Sequence, residues 1–338
     1  MNYRIFVVLT FSLLMGVSGS PQHMQGKPFK LVFYNAENLF DTIDNPRTSD
    51  NDYLPSSKVP WNTTRYNHKI QHTGKVLTSI DSLNLPGIIG MAEIENRAVL
   101  EDLLKMTGLK NGGYQIILEE GRDPRGINVA LMFRKDLFRE ISHKAAPSAR
   151  SFNTRDILYV KLADSKKDTF HLFVNHWKSR EGGAGETEIK RIENATILKH
   201  LSDSILSRFP KANVIIMGDF NDEPGDKSLV EVLQAEKPEK KFSPGKLYDL
   251  LYSPYEKGEG TLFYKDWDVF DQIIVSGNML IKNKGKAPLI LPPFAYIFKP
   301  DWILYKNKNG EWVPNRTASS KEYFGGYSDH LPVYMIVN

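Results

Sequence analysis

Six segments of this chain run an apolar stretch straight into acids, amides or imidazoles. "LVFYNAEN" closes on Asn35 and Glu37, "IIGMAEIE" carries Glu93, and "LFVNHWKSR" closes on His176, Lys178 and Arg180. "VIIMGDFND" ends in Asp219, Asn221 and Asp222, "FDQIIVS" begins with Asp271, and "YSDHLPVYMIV" sets Ser328, Asp329 and His330 before its apolar run. One such end is ordinarily a turn, and Asp219 to Asp222 alone reads equally well as a strand followed by an Asx turn. Six of them, far apart in sequence, predict one shared cleft. Glu93 with Asn35 or Glu37 is an all-oxygen donor set, which suits a hard cation such as Mg²⁺, with Mn²⁺ or Ca²⁺ as substitutes. His330 can accept a proton from water near neutral pH, and Asp271 can orient its ring. A protonated His176 could hold a phosphate oxygen or give a proton to a leaving oxygen. This is the chemistry of cleaving an anionic ester.

Such side chains need rigid mounts. "VIIM" (214–217) reads as a short, fully buried strand, and Gly218 permits a turn or a close approach. Asp219 and Asn221 are two apart, so in extended backbone they share a face. Similar β-rich runs lie at 30–35, 87–95, 114–120, 127–134, 157–163, 169–177, 268–276 and 332–338. Helical periodicity appears at 192–209, where Ile192, Ala195, Leu198, Leu201, Ile205 and Phe209 share a face, and at 96–108; it is weaker at 67–80 because of Gly74. Many strands with interspersed helices indicate a layered α/β sandwich.

In this order, "NAEN", "MAEIENR", "VNHWKSR", "MGDFND", "DQIIVS" and "YSDHLPV" resemble the endonuclease/exonuclease/phosphatase superfamily, over residues 28–338. "GDFN" with a later "SDH" is the specific pair. The resemblance implies a four-layer αββα sandwich of two mixed sheets flanked by helices, with metal-dependent attack of water on a phosphoester at one end. It implies Glu93 as principal metal ligand, with Asn35, Glu37 and Asp329 as further metal contacts. It implies Asp219 and Asn221 as the pair that orients water or contacts phosphate, and Asp271 with His330 as the dyad. "VNHWKSREGG" is closest to the deoxyribonuclease-like members, in which a histidine at the position of His176 serves as acid or phosphate ligand. In "RGINVALMF", Arg125 resembles their phosphate-binding arginine, and Asn128 and Lys178 complete the substrate-binding candidates. Glu37 departs from the pattern of abasic-site endonucleases, which have Asp there.

Composition sets the outer bounds. The chain has 338 residues, of which 41% are hydrophobic, an ordinary globular balance. Cysteine is absent, which excludes disulfides, thiol nucleophiles and thiolate metal sites. Arg4, the apolar run Ile5 to Met15 and the small residues Gly16 to Ser20 predict a signal peptide over 1–20, with export to the periplasm or beyond. The formal charge of +4 permits a polyanionic substrate without demanding one. The expectation is therefore a secreted Mg²⁺-dependent phosphodiesterase acting on nucleic acid, with no stable protein partner and no place in a membrane after cleavage. The alternatives are a phosphatase of sugar phosphates, inositol phosphates or phospholipid headgroups, and a binding module with a dead site. His68 and His72 sit at helical spacing without the Glu of a zinc-protease motif, and read as a solvated helix face. The aromatic stretch 260–270 reads as core packing rather than base stacking.

Overall fold

A computed structural model describes residues 28–148, 154–282 and 287–338. The proposed signal peptide lies outside them. Residues 30–35 are part of Phe29–Leu39 (β1), which is followed by Ile88–Ile94 (β2), Tyr114–Leu118 (β3) and Asn128–Arg134 (β4). The chain then forms Phe138–Ala146 (β5), Ile157–Asp164 (β6), Thr169–His176 (β7), Asn213–Asp219 (β8), Ala235–Glu236 (β9) and Leu247–Asp249 (β10). Leu262–Phe263 (β11) and Trp267–Asp268 (β12) make a small hairpin, and Asp271–Ser276 (β13) and Tyr296–Ile297 (β14) follow. Leu304–Lys306 (β15) and Trp312–Pro314 (β16) make a second hairpin, and Val333–Val337 (β17) ends the chain. One sheet runs β14-β17-β1-β2-β4-β3 and the other β5-β6-β7-β8-β13-β10-β9. Both mix parallel and antiparallel pairs.

Alternation along the strands builds the layers. Leu31, Phe33, Leu131 and Phe133 of the first sheet meet Leu172, Val174, Ile215, Met217, Ile273 and Val275 of the second in one buried cluster. The opposite face of the first sheet, with Val32, Ile89 and Met91, is covered by helices Thr63–Ile80 (α1) and Arg97–Met106 (α2). Phe173, Ile216 and Ile274 on the outer face of the second sheet are covered by Ala184–Arg208 (α3). Helix, sheet, sheet, helix is the αββα sandwich that the sequence implies. Among the described residues no helix is long and apolar enough to cross a membrane.

Two glycines let backbones approach. A Cβ on Gly218 would lie 2.4 Å from the Asn175 carbonyl oxygen on β7, so nothing larger fits there. Gly74 does not weaken α1, which runs unbroken from its Asn62 cap; a Cβ there would lie 2.4 Å from Thr107 beyond α2. The expectation of a solvated face is corrected for His72. His72 stacks on Tyr327 with centroids 4.1 Å apart and its Nδ1 donates to the Gly326 carbonyl, and His68 bonds Tyr323. Half-buried His72 fastens a loop, while His68 remains exposed, as a solvated helix face requires.

Candidate active site

The strand ends converge. On β1 the inward residues Leu31 and Phe33 are followed by Asn35, and on β8 Ile215 and Met217 are followed by Asp219. On β7, Leu172 and Val174 lead to His176, and on β13 Ile273 and Val275 lead back to Asp271. All four polar side chains inherit the orientation of the core face. Asn35 Nδ2 donates to Asp219 Oδ2 at 3.0 Å and to Glu93 Oε1 at 3.4 Å. His176 Nε2 lies 3.5 Å from Asp219 Oδ2, and His330 Nε2 lies 3.8 Å from the same oxygen.

Glu93 reaches this group by a backbone irregularity. Strict alternation from Ala92 would send it to the helix side. Its φ of 60°, at a register shift between Ala92 and Ile94, turns it inward, where the Asn38 amide donates to Oε2. Four non-glycine residues at this rim are left-handed: Glu37, Asn38, Glu93 and Asn221, with φ of 50°, 54°, 60° and 51°. Two of them sit in matched Asx turns. The Glu37 amide donates to Asn35 Oδ1, and the Asn221 amide to Asp219 Oδ1. The turn reading of "GDFND" is borne out, and the same turn swings Asn221 out of strand geometry while Asp219 Oδ2 still faces the cluster.

Asp271 Oδ2 holds His330 Nδ1 at 2.7 Å, leaving Nε2 toward Asp219. Burial opposes a charge on His330, but the Asp271 and Asp219 carboxylates outweigh it and raise its pKa well above the usual imidazole range. Burial likewise pushes the Asp219 carboxyl up, against the pull of His330. The cluster therefore retains a proton that any bound cation would compete with. Glu93 and Asp219 offer it oxygen atoms, and Asp329 lines the same cleft of about 940 Å³. Asn35, expected as a metal contact, turns its Nδ2 to those carboxylates and its Oδ1 to the Glu37 amide, so it orients the ligands instead. Among the described residues no three acids or histidines form a ready-made cage. The set fits Mg²⁺, which commonly takes one or two carboxylates and keeps waters.

Three further expectations need correction. Glu37 faces away from Glu93: its carboxylate takes the Thr317 amide at 2.5 Å and pairs with Arg316 at 3.3 Å, so its longer stem serves the 316–318 loop. Asn128 is a fastener. Its Nδ2 donates to the Glu95 and Gly126 carbonyls and its Oδ1 accepts from Gly121, which leaves nothing for substrate. His176 is not poised as an acid. Its Nε2 accepts from Arg155 Nη2 at 2.6 Å, and burial with the nearby Arg155 and Arg125 charges holds its pKa well below the usual range. Arg125 lines the cleft, and Lys178 lines an adjoining basic recess with Arg125 and Arg155.

Arg155 is the group that sequence reasoning missed. It is buried, pairs with Asp123 at 3.2 Å, bonds the Trp177 carbonyl and lines the cleft. Its sequence signal is "NTRDILYV", an arginine just before a strand, the same pattern that singles out Arg125.

A sequence profile described as the endonuclease/exonuclease/phosphatase family matches residues 30–338. No curated protein matches the chain by sequence. Solved structures share its fold. A Bacteroides thetaiotaomicron mannosyl-6-phosphatase is 15% identical with a TM-score of 0.56, covering 92% of this chain and 99% of that one. The human nocturnin catalytic domain with bound sulfate is 16% identical with a TM-score of 0.55, covering 92% and 94%. TDP2 from D. rerio, complexed with a single-strand DNA product, is 15% identical with a TM-score of 0.51, covering 93% and 100%.

Proposed function

Because the chain belongs to the endonuclease/exonuclease/phosphatase family and is a phosphoester hydrolase by that membership, we propose that it is an exported, Mg²⁺-dependent phosphodiesterase acting on nucleic acid. The observation that carries the reading is the Asp271–His330–Asp219 alignment, with His330 Nε2 directed into a cleft that also holds Glu93. Glu93, Asp219 and Asp329 would hold the ion, with Asn35 Nδ2 orienting the first two, and the chemistry of the ion is to neutralise charge on the phosphate. With a cation offsetting the Asp219 and Asp329 charges that otherwise help keep it protonated, His330 would be free to take the proton of the attacking water through Nε2. Asp271 keeps the other ring nitrogen protonated and stabilises the imidazolium that results. Arg155, fixed between Asp123 and His176, and Arg125 bind non-bridging oxygens as charge develops. The fold neighbours described as a nocturnin, a TDP2 with DNA product and a mannosyl-6-phosphatase support phosphoester chemistry on differing substrates.

The test is one panel of plasmid DNA, RNA, phosphoinositides and mannose 6-phosphate, each with and without chelator. Chelator-sensitive cleavage of DNA or RNA is expected. Turnover of monoesters alone would overturn the nucleic-acid reading in favour of a small-molecule phosphatase. Glu93→Ala and His330→Ala should each stay folded and lose at least about a hundredfold in turnover, as removal of a general base or charge stabiliser does. The export proposal is checked by N-terminal sequencing of the protein recovered from outside the cytoplasm; an intact Met1 there would overturn cleavage.

A further inference from the structure

The cleft is much larger than a phosphate needs, and one wall of it belongs to neither main sheet. That wall is made by the β11–β12 and β15–β16 hairpins, which contribute Leu262, Phe263, Tyr264, Tyr305, Val313 and Pro314. Three of the five exposed large aromatic residues described, Tyr264, Tyr305 and Trp312, sit on these two hairpins. Tyr264 is 78% exposed and Tyr305 42% exposed, and both line the cleft. Core packing, the reading that the sequence favours for 260–270, holds for Val269 and Phe270, and for Trp267, half-buried beside Phe263. The Trp267 and Phe263 rings meet edge-on at 5.4 Å, and Lys299 Nζ sits 3.6 Å above Trp267. It does not hold for Tyr264, which stands at the tip of the hairpin that this packing stiffens.

The hairpin is tied to the chemistry by backbone. Leu262 bridges His330, and the Leu331 amide donates to the Thr261 carbonyl at 2.7 Å. Tyr264 is two residues along from that bridge, about 7 Å in extended chain. The bridge therefore holds Tyr264 close along the chain to the residue that faces His330. Arg125 and Arg155 line the same cleft, and Lys178 lines the recess that adjoins it. A sugar ring would need hydrogen-bond partners for its hydroxyls, whereas the hairpin residues that line the cleft are mostly apolar and aromatic, with Asn307 and Asp268 the polar ones among them.

We infer that Tyr264 and Tyr305 form a stacking site for a nucleobase attached to the scissile phosphate, set by the hairpin–His330 bridge. This rests on the phosphodiesterase reading above. Stacking of this kind tolerates any base, because every base offers a π-face.

The test compares the p-nitrophenyl ester of thymidine 5′-monophosphate with methyl p-nitrophenyl phosphate, which has the same leaving group and no base. The native protein with Mg²⁺ should favour the thymidyl ester. Tyr264→Ala and Tyr305→Ala should each cut that preference in kcat/KM by about tenfold, and Tyr264→Phe and Tyr305→Phe should keep it. Calorimetric affinity for thymidine 5′-monophosphate should fall by a similar factor in the alanine variants alone. Exposed tyrosines leave the melting temperature a valid control for folding. An unchanged preference, or equal losses on both esters, overturns the stacking site while the phosphodiesterase reading stands. A loss of mannose 6-phosphate binding in place of nucleotide binding also overturns it, and assigns the wall to a sugar. If neither ester is cleaved while monoesters are, the phosphodiesterase reading falls and takes this inference with it.

Discussion

A carboxylate buried with no cation beside it should appear in the pH dependence of stability, and Asp249 on β10 is such a group. It is fully buried, its Oδ1 accepts only the Leu251 amide, and its Oδ2 has no partner. Burial pushes its pKa from 3.8 up to about 7. The sign follows from proton counting. Between those values the unfolded chain releases its proton while the folded protein keeps it, so stability falls from about pH 4 to about pH 7 and then levels. Asp249→Asn removes that slope. The variant should gain at least about 1 kcal/mol over the native protein at pH 8, and little or nothing at pH 4. Thermal melts of both proteins across that range check it, and parallel curves would exclude the assignment. Asp219 is buried in the same way but is tied to His330 and Asn35, so its proton belongs to the cluster and offers no such clean readout.

Elements, not single contacts, carry Asp329 and His330 into place. Residues 315–330 form a long excursion between β16 and β17, and Lys69 of α1 is its anchor. The Lys69 ammonium is fully buried and donates to Thr317 Oγ1 at 2.5 Å and to the Tyr327 carbonyl at 2.7 Å. Glu37 grips the same loop at Thr317. Lys69→Met should cost about 2 kcal/mol or more, the scale of charged hydrogen bonds lost on burial. It should also speed hydrogen exchange at 317–327 and lower kcat more than it raises KM. Native exchange rates in that segment would show that the anchor is dispensable. This arrangement was only partly legible beforehand. All nine apolar runs became strands, because burial on one or both faces writes itself into residue type. β5 was missed, since its outward face, with Arg139, Glu140 and Lys144, breaks the apolar pattern. Asp219 and Asp271 were readable because they continue a core-facing alternation. The inward turn of Glu93 depends on a φ angle, and the roles of Lys69, Arg155 and Asn128 depend on partners distant in sequence.

At the scale of the whole molecule, charge and shape decide which substrates approach. The formal charge is only +4, so long-range attraction of a polyanion is weak and the cleft must supply it locally. If Arg125, Arg155 and Lys178 each meet one phosphate of a single strand, the slope of log affinity against log salt should be about −2. Titrating a fluorescent oligonucleotide onto Glu93→Ala at rising salt measures it; a flat response would mean that only the reacting phosphate is held. The sandwich also has to tolerate its own working rim. Left-handed backbone costs a non-glycine residue about 1 kcal/mol or more, and Glu37, Asn38, Glu93 and Asn221 all bear it. Glycine would relieve each position at little steric cost. Glu37 is held on folding grounds by its grip on Thr317, but selection on folding alone would erode Glu93 and Asn221 toward glycine, and selection on turnover opposes that drift. A descendant that keeps the apolar strands but carries glycine at 93 and 221 would betray, from its sequence, a lineage that has abandoned the reaction and kept the scaffold.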